Sequence, residues 1–176
     1  MMARGEALVA LARHAITERL GIAGPPPAAP PLDEMRGVFV TLRERANHDL
    51  RGCIGVVEPR FPLGEAVRRA AVSAAFDDPR FPPVSAAELP ALALDVSVLG
   101  PLAASSVDAV EVGRHGVVVR CDGRSALFLP QVATEQGWDR DTLLSQLCRK
   151  AGLPSDAWRR ADCALFTFET ESFGED

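Results

Sequence analysis

The sequence predicts an α+β fold with a largely antiparallel sheet and packed helices. Three observations support this class. Short segments of alternating apolar residues are joined by turn-length connections, which is typical of β-hairpins. Other segments repeat apolar residues at helical spacing. Helices and strands do not alternate in the rhythm that a parallel sheet requires. With 176 residues and 47% hydrophobic content, the chain is long enough for one ordinary domain, residues 1–176.

The first predicted element is an amphipathic helix over residues 6–20. Its apolar residues recur every three or four positions, and Gly21 follows as a natural C-terminal stop. The proline-rich residues 24–31 come next. Proline fixes the backbone and removes a hydrogen-bond donor, so this segment is expected to be an extended connector that leads from the helix to the sheet.

Residues 38–43 and 50–55 predict an antiparallel hairpin. The first segment alternates strictly, and a polar run of turn length separates it from the second. His48 falls in this turn. It is expected to be solvated there, although the hairpin could bring it near the Cys53 face.

The second strand of this hairpin reads Leu-Arg-Gly-Cys-Ile-Gly, from Leu50 to Gly55. Strand alternation would place Arg51, Cys53 and Gly55 on one face, where the cation favours the thiolate. The two glycines, Gly52 and Gly55, indicate a bulge or a close approach of another backbone or a small ligand. The alternative is structural, since a lone cysteine in an apolar strand is more often a small buried hydrophobe.

A second helix is predicted over residues 63–76, and two carboxylates follow it. Negative charge is disfavoured at a helix C-terminus. Either the helix ends earlier and Asp78 caps a turn, or the carboxylate serves an outside task with Arg80 beside it. The remaining elements are predicted from caps, turns and alternation. They are a capping box at Ser85 and Glu88, a strand over 92–99, a hairpin around Asp122-Gly123, a helix from Asp139 to Gly152, and a closing strand over 165–169 before an acidic tail.

Composition excludes several function classes. The formal net charge is −5 and the cations are scattered, so no electrostatic footprint for nucleic acid is expected. The four cysteines and three histidines lack metal-ligand spacing, which predicts no metal, and no other cofactor is indicated. No signal peptide or membrane-spanning run is evident, so we expect a cytoplasmic protein with reduced thiols.

The Leu-Arg-Gly-Cys-Ile-Gly stretch resembles the hallmark of the AMMECR family. Further blocks resemble that family in the same order, between Gly37 and Phe173. They are Gly37-Val38-Phe39-Val40, Asp78-Pro79-Arg80-Phe81-Pro82-Pro83, Val96-Ser97-Val98-Leu99, Leu129-Pro130-Gln131-Val132-Ala133, and Lys150-Ala151-Gly152-Leu153-Pro154 up to Trp158. The resemblance implies two closely packed lobes. Bacterial and archaeal members resemble component A of the AmmeMemoRadiSam trio, which implies Memo-like and radical-SAM partners and names no reaction.

Two hypotheses of function follow. In the first, an enzyme-like cleft uses Cys53 as a nucleophile or redox-active thiol, although no histidine base is evident from the sequence. In the second, a non-catalytic adaptor binds a ligand or a partner through the same cleft. A third interpretation is a close-packed strand crossing without function. The candidate residues are Cys53 and Arg51 for catalysis, and Gly52, Gly55, Asp78, Arg80 and Gln131 for ligand binding.

Overall fold

The structure is a computed structural model that describes residues 2–175. The chain divides into two compact units. The first runs to Leu99 and takes in the C-terminal segment from Glu171, and the second covers Gly100–Thr170. Each unit has a four-stranded sheet. The predicted α+β class with largely antiparallel strands is confirmed, with two sheets where the residue pattern predicted one.

The helices and strands are numbered in chain order. The four α-helices are α1 (Arg4–Arg19), α2 (Leu63–Phe76), α3 (Pro130–Gln136) and α4 (Arg140–Lys150). The eight strands are β1 (Val38–Glu44), β2 (Leu50–Val56), β3 (Leu92–Leu99), β4 (Ala103–Ser105), β5 (Gly116–Cys121), β6 (Arg124–Phe128), β7 (Ala164–Phe168) and β8 (Thr170–Gly174). No helix within residues 2–175 is long and apolar enough to cross a membrane.

The sheet of the first unit has the strand order β2-β1-β3-β8. The predicted hairpin of β1 and β2 is confirmed, and β1 also pairs antiparallel with β3. Alternate residues of β1, Val38, Val40 and Leu42, are fully buried in a core that they share with α1 and α2. Helix α2 has the predicted bounds, and α1 lies within two residues of them. Gly21 stops α1 with a φ of +76°.

The sheet of the second unit has the strand order β4-β7-β5-β6. The predicted Asp-Gly turn joins β5 and β6, with φ of +54° at Asp122 and +72° at Gly123. This is the geometry that a two-residue hairpin loop requires. Asp139 caps α4 as predicted, because its side chain accepts from the Thr142 N–H at 2.8 Å. The core packs α4 against β5 and β7.

Two segments differ from the sequence prediction. The expected acidic tail forms strand β8 of the first sheet. Directly after β8, the Glu175 carboxylate accepts from Arg13 Nε and from the Leu94 N–H. Residues 100–113, for which no helix or strand was predicted, contain the short strand β4. Both strands lie at sheet edges and carry few apolar residues. Their pairing therefore depends on the neighbouring strand more than on their own pattern.

The expectation of four reduced thiols is wrong for two of the cysteines. Cys121 and Cys163 form a disulfide with an S–S distance of 2.01 Å. The register of β5 and β7 explains why they meet. Arg120 lies opposite Ala164, so the next residues outward are Cys121 and Cys163. Cys53 and Cys148 are the free cysteines.

Candidate functional site

Strand β2 places Cys53 next to a hydroxyl of β1. Cys53 lies opposite Thr41, whose Oγ1 donates to the Cys53 Sγ at 3.3 Å. Thr41 is buried, whereas Cys53 is half-buried. Because a hydrogen bond to the charged form of a group favours that form, this hydroxyl stabilises negative charge on the sulfur.

A β-bulge at Arg51 breaks the alternation that the sequence predicts. Leu42 pairs with Gly52 and Arg43 pairs with Leu50, so Arg51 has no partner in the ladder. An extra residue of this kind re-aims its side chain. The sequence predicted that Arg51 and Cys53 share one face of the strand, and this prediction is wrong. Strand alternation holds from Gly52 onward and fails before it.

The bulge directs the Arg51 guanidinium to groups other than the thiol. Nε and Nη2 donate to the two carboxylate oxygens of Glu88, and Nη2 also donates to the Pro82 carbonyl at 2.8 Å. Arg51 is only 7% exposed. Its hydrogen bond lowers the pKa of Glu88, which is also the closing residue of the predicted capping box with Ser85. The structure thus gives Arg51 a role in holding the 82–88 segment against β2.

Asp78 joins the end of α2 to β2. The helix ends at Phe76, as its predicted bounds have it and not earlier, and the Asp78 carboxylate closes a turn by accepting from the N–H of Arg80 at 3.1 Å. The same carboxylate accepts from the Cys53 N–H at 3.0 Å. Asp78 is 4% exposed. Hydrogen bonds from Arg80, and from the Cys53 N–H, hold its pKa well below the usual range for a carboxyl group.

Arg80 is the cation that acts on the Cys53 thiol. Its Nε and Nη2 donate to the two Asp78 oxygens at 3.0 and 2.7 Å, while its side chain remains 55% exposed above the Phe81 ring. The hydrogen bond to Asp78 raises the pKa of Arg80, and the negative charge of Cys53 contributes in the same direction. The electrostatic role that the sequence assigned to Arg51 therefore falls to Arg80.

Both glycines of β2 are closely approached by backbone. A Cβ at Gly52 would lie 2.2 Å from the Ala74 carbonyl oxygen of α2, and a Cβ at Gly55 would lie 2.1 Å from the Val38 carbonyl oxygen of β1. These distances are far inside van der Waals contact. The expected close backbone approach is confirmed at both positions.

Two other residues singled out from the sequence lie away from β2 along the chain. Gln131 belongs to the second unit, where it is the second residue of α3 and half-buried. Its role in binding a ligand stays a prediction. His48 is exposed in the β1–β2 turn with a φ of +64°, as expected of a turn residue.

Sequence reasoning missed two contributors to this site. The hairpin register sets Thr41 opposite Cys53, so the strand pairing could have indicated this residue. Counting turn residues does not give the register, because the bulge shifts it by one residue. Glu88 was recognised only as a helix cap. A buried arginine requires a carboxylate partner, but the sequence does not say which of the acidic residues meets it.

Comparison with known proteins places the chain in a family. The AMMECR1 family model matches residues 9–173. The chain belongs to the AMMECR1 family. The protein MK0488 of Methanopyrus kandleri is 47% identical, with 98% of this chain and 88% of that protein aligned. The crystal structure of the uncharacterized protein PH0010 from Pyrococcus horikoshii is 44% identical, has a TM-score of 0.90, and matches over 98% of this chain and 91% of that one.

Membership of the AMMECR1 family therefore accounts for the whole described fold. The names of MK0488 and PH0010 state no activity.

Proposed function

We propose that this AMMECR1 protein has an enzyme-like site in which Cys53 is a reactive thiolate that acts on an anionic small molecule or on an anionic group of a partner. The observation that carries the proposal is the arrangement of Asp78 and Arg80. Asp78 bonds to the Cys53 backbone and anchors Arg80, whose pKa is raised by Asp78 and, to a smaller extent, by the negative charge of Cys53.

The chemistry of each group follows from its contacts. The thiolate forms when the S–H proton passes to water, and both the Thr41 hydroxyl and the Arg80 cation favour it. Arg80 is exposed enough to bind an anion, and its side-chain bonds to Asp78 are made by Nε and Nη2. Arg51 is a positioning residue that holds the segment carrying Phe81 and Pro82 against β2.

Family membership supports a set of partners for this site. The resemblance of the family to component A of the AmmeMemoRadiSam system points to Memo-like and radical-SAM proteins as partners. We propose that they meet this protein in the cytoplasm. Gln131 is a further candidate for ligand binding. Co-purification of the tagged protein with these two partners from a common expression host tests this part of the proposal.

Alkylation of the native protein tests the thiol site directly. Iodoacetamide is neutral and iodoacetate is anionic, so the ratio of their rates at one cysteine reports the local potential. We expect Cys53 to react much faster than Cys148, with a raised preference for iodoacetate over iodoacetamide. Mass mapping of the modified peptides gives both rates.

The matched variants are Arg80→Gln and Arg60→Gln. Arg60 is an exposed arginine that is also paired with a carboxylate, that of Glu58. We expect Arg80→Gln to remove the preference for iodoacetate at Cys53 and Arg60→Gln to leave it unchanged. Equal rates at Cys53 and Cys148, or an unchanged preference in Arg80→Gln, would show that the arrangement is structural.

A non-catalytic adaptor is the second candidate function. It is favoured by the bond of Asp78 to the backbone of β2, because a rigid, pre-organised strand suits recognition as well as catalysis. If the protein is an adaptor, we expect Cys53→Ser to co-purify with the partners as the parent does, because serine preserves the size of the side chain and a hydrogen-bonding group. The enzyme-like site requires that the same variant lose the reaction.

A further inference from the structure

The outer side of β2 is a sheet edge. Strand β2 is terminal in its sheet, with β1 on its inner side. The Cys53 N–H points outward and is bonded by the Asp78 carboxylate. In an antiparallel ladder, every second residue directs its N–H and C=O to the same side. The backbone N–H and C=O of Gly55 therefore also project outward.

Exposed strand edges are normally blocked by charged side chains or covered by other elements. Asp78 blocks the edge at Cys53, but Gly55 has no side chain of its own. Among residues 2–175, no strand pairs with this side of β2. The outward backbone N–H and C=O groups beyond Cys53 can thus form main-chain hydrogen bonds with another extended segment.

A small apolar recess lies beside this edge. Its volume is about 70 Å³, and its apolar lining comes from both β2 and the α2 region. The lining includes Ile54, Gly55, Val56, Phe61, Ala66 and Ala70. Val56 is unusually exposed for a large aliphatic residue, at 38%. Because side chains of an added strand alternate between two faces, those on the α2 side would enter this recess. The volume suits a short aliphatic side chain.

Cations lie at both ends of the same edge. Arg69 lines the recess, is 60% exposed, pairs with Glu65 of α2 and stacks on the Phe61 ring at 4.2 Å. Arg80 pairs with Asp78 and is 55% exposed at the Cys53 end. Both arginine side chains are more than half exposed despite these pairs, so an anionic segment finds two accessible cations at this edge.

We propose that the edge of β2 from Ile54 to Val56 binds an extended acidic segment of a partner protein by β-strand addition, with a short aliphatic side chain in the recess. Main-chain bonds supply affinity in this mode, and the recess and the two arginines supply specificity. The segment would lie beside Cys53 whether or not that thiol reacts, so this interaction is independent of the proposed chemistry.

The probe is an acetylated, amidated hexapeptide of sequence Glu-Val-Thr-Val-Thr-Glu. Two further versions carry N-methyl groups, one on both valine nitrogens and the other on both threonine nitrogens. Only one of these sets can face β2. We expect saturable binding of the parent peptide, with a downfield shift of the Gly55 amide proton in NMR spectra. One methylated version should bind at least roughly tenfold more weakly, while the other retains affinity.

Charge variants sharpen this test. Arg69→Glu should weaken binding of the parent peptide roughly tenfold, and Arg149→Glu, an exposed arginine of α4, should leave it unchanged. A peptide with lysine in place of both glutamates should bind more weakly than the parent.

Three results would overturn the proposal. The Gly55 amide could fail to respond at millimolar peptide, or both methylated versions could bind as well as the parent. Alternatively, the Gly55 amide could already be protected in a concentration-dependent dimer without peptide, which would make the occupant a second copy of this chain. Alkylation of Cys53 is measured separately, so none of these results bears on its reactivity.

Discussion

The two free cysteines show how differently the two units treat polar groups. Cys53 is half-buried in the first unit, between a hydroxyl donor and an arginine. Cys148 is fully buried in the second, and burial raises the pKa of its thiol. The same side chain thus lies beside polar and charged groups in one unit and within an apolar core in the other. The difference comes from the surroundings, since both cysteines lie within regular elements.

The buried polar groups follow the same division. The first unit buries the ionised Arg51 and Asp78 beside β2, whereas Thr167 is the buried polar residue among those described in the second unit. A buried ion pair costs several kcal/mol in desolvation and is often no more stabilising than apolar packing. The second unit relies on an apolar core and a disulfide.

The largest expected effect concerns the second unit. The disulfide closes a segment of 42 residues, so the double variant Cys121→Ser, Cys163→Ser should lose about 4 kcal/mol of unfolding free energy through unfolded-chain entropy. Denaturant unfolding under non-reducing conditions measures it, with Cys53→Ser as control. A thiol count in denaturant without reductant should give two free thiols. A count of four would show that the second unit is stabilised by its apolar core alone.

The buried ion pair of the first unit comes next. Arg51→Ala would remove the cationic partner of Glu88 and the Arg51 donor to the Pro82 carbonyl, so we expect a loss of about 2 to 4 kcal/mol. The control Arg60→Ala removes an exposed pair with Glu58 and should cost no more than about 0.5 kcal/mol. Similar stabilities for both variants would mean that the Arg51 pair contributes no more than a surface pair.

The glycines of β2 should give a smaller effect. An alanine methyl at Gly52 or Gly55 would press on backbone oxygens that are part of α2 and β1, so each substitution should cost about 1 to 3 kcal/mol. Gly64 is the matched control, because a Cβ there meets nothing closer than 3.5 Å. Gly64→Ala should stabilise its helix by about 0.5 to 1 kcal/mol. Neutral behaviour of Gly55→Ala would show that β2 shifts easily at its edge.

The smallest expected effect is a pH dependence that belongs to Asp78. Its folded-state pKa lies below the unfolded value, so its contribution to stability is present above about pH 4 and is lost as the pH falls further. Asp78→Asn removes this term. The stability difference between the parent and Asp78→Asn should shrink by about 1 kcal/mol or more between pH 5 and pH 3. A stability difference that does not change with pH would show that the Asp78 charge does not contribute to stability.

Much of the fold was determined by the sequence alone. Helices α1 and α2, the hairpin at Asp122-Gly123 and the Asp139 cap of α4 depend on residues that are close in the chain. Apolar periodicity, turn glycines and caps act over a few residues, so the helices and turns that they specify can be predicted without knowledge of the tertiary contacts. Resemblance to the AMMECR family supplied the two lobes, which no periodicity indicated.

Tertiary structure decided the arrangement around Cys53. The bulge turned Arg51 to Glu88, which is 37 residues away, and Asp78 reached Cys53 across 25 residues. The disulfide joined Cys121 to Cys163, and β8 entered the first sheet. Ion pairs, bulges and edge strands depend on which distant elements meet. A charged residue carries no local mark of its partner, so the sequence singled out Cys53 as a candidate but did not indicate which charged residues the fold would bring near it.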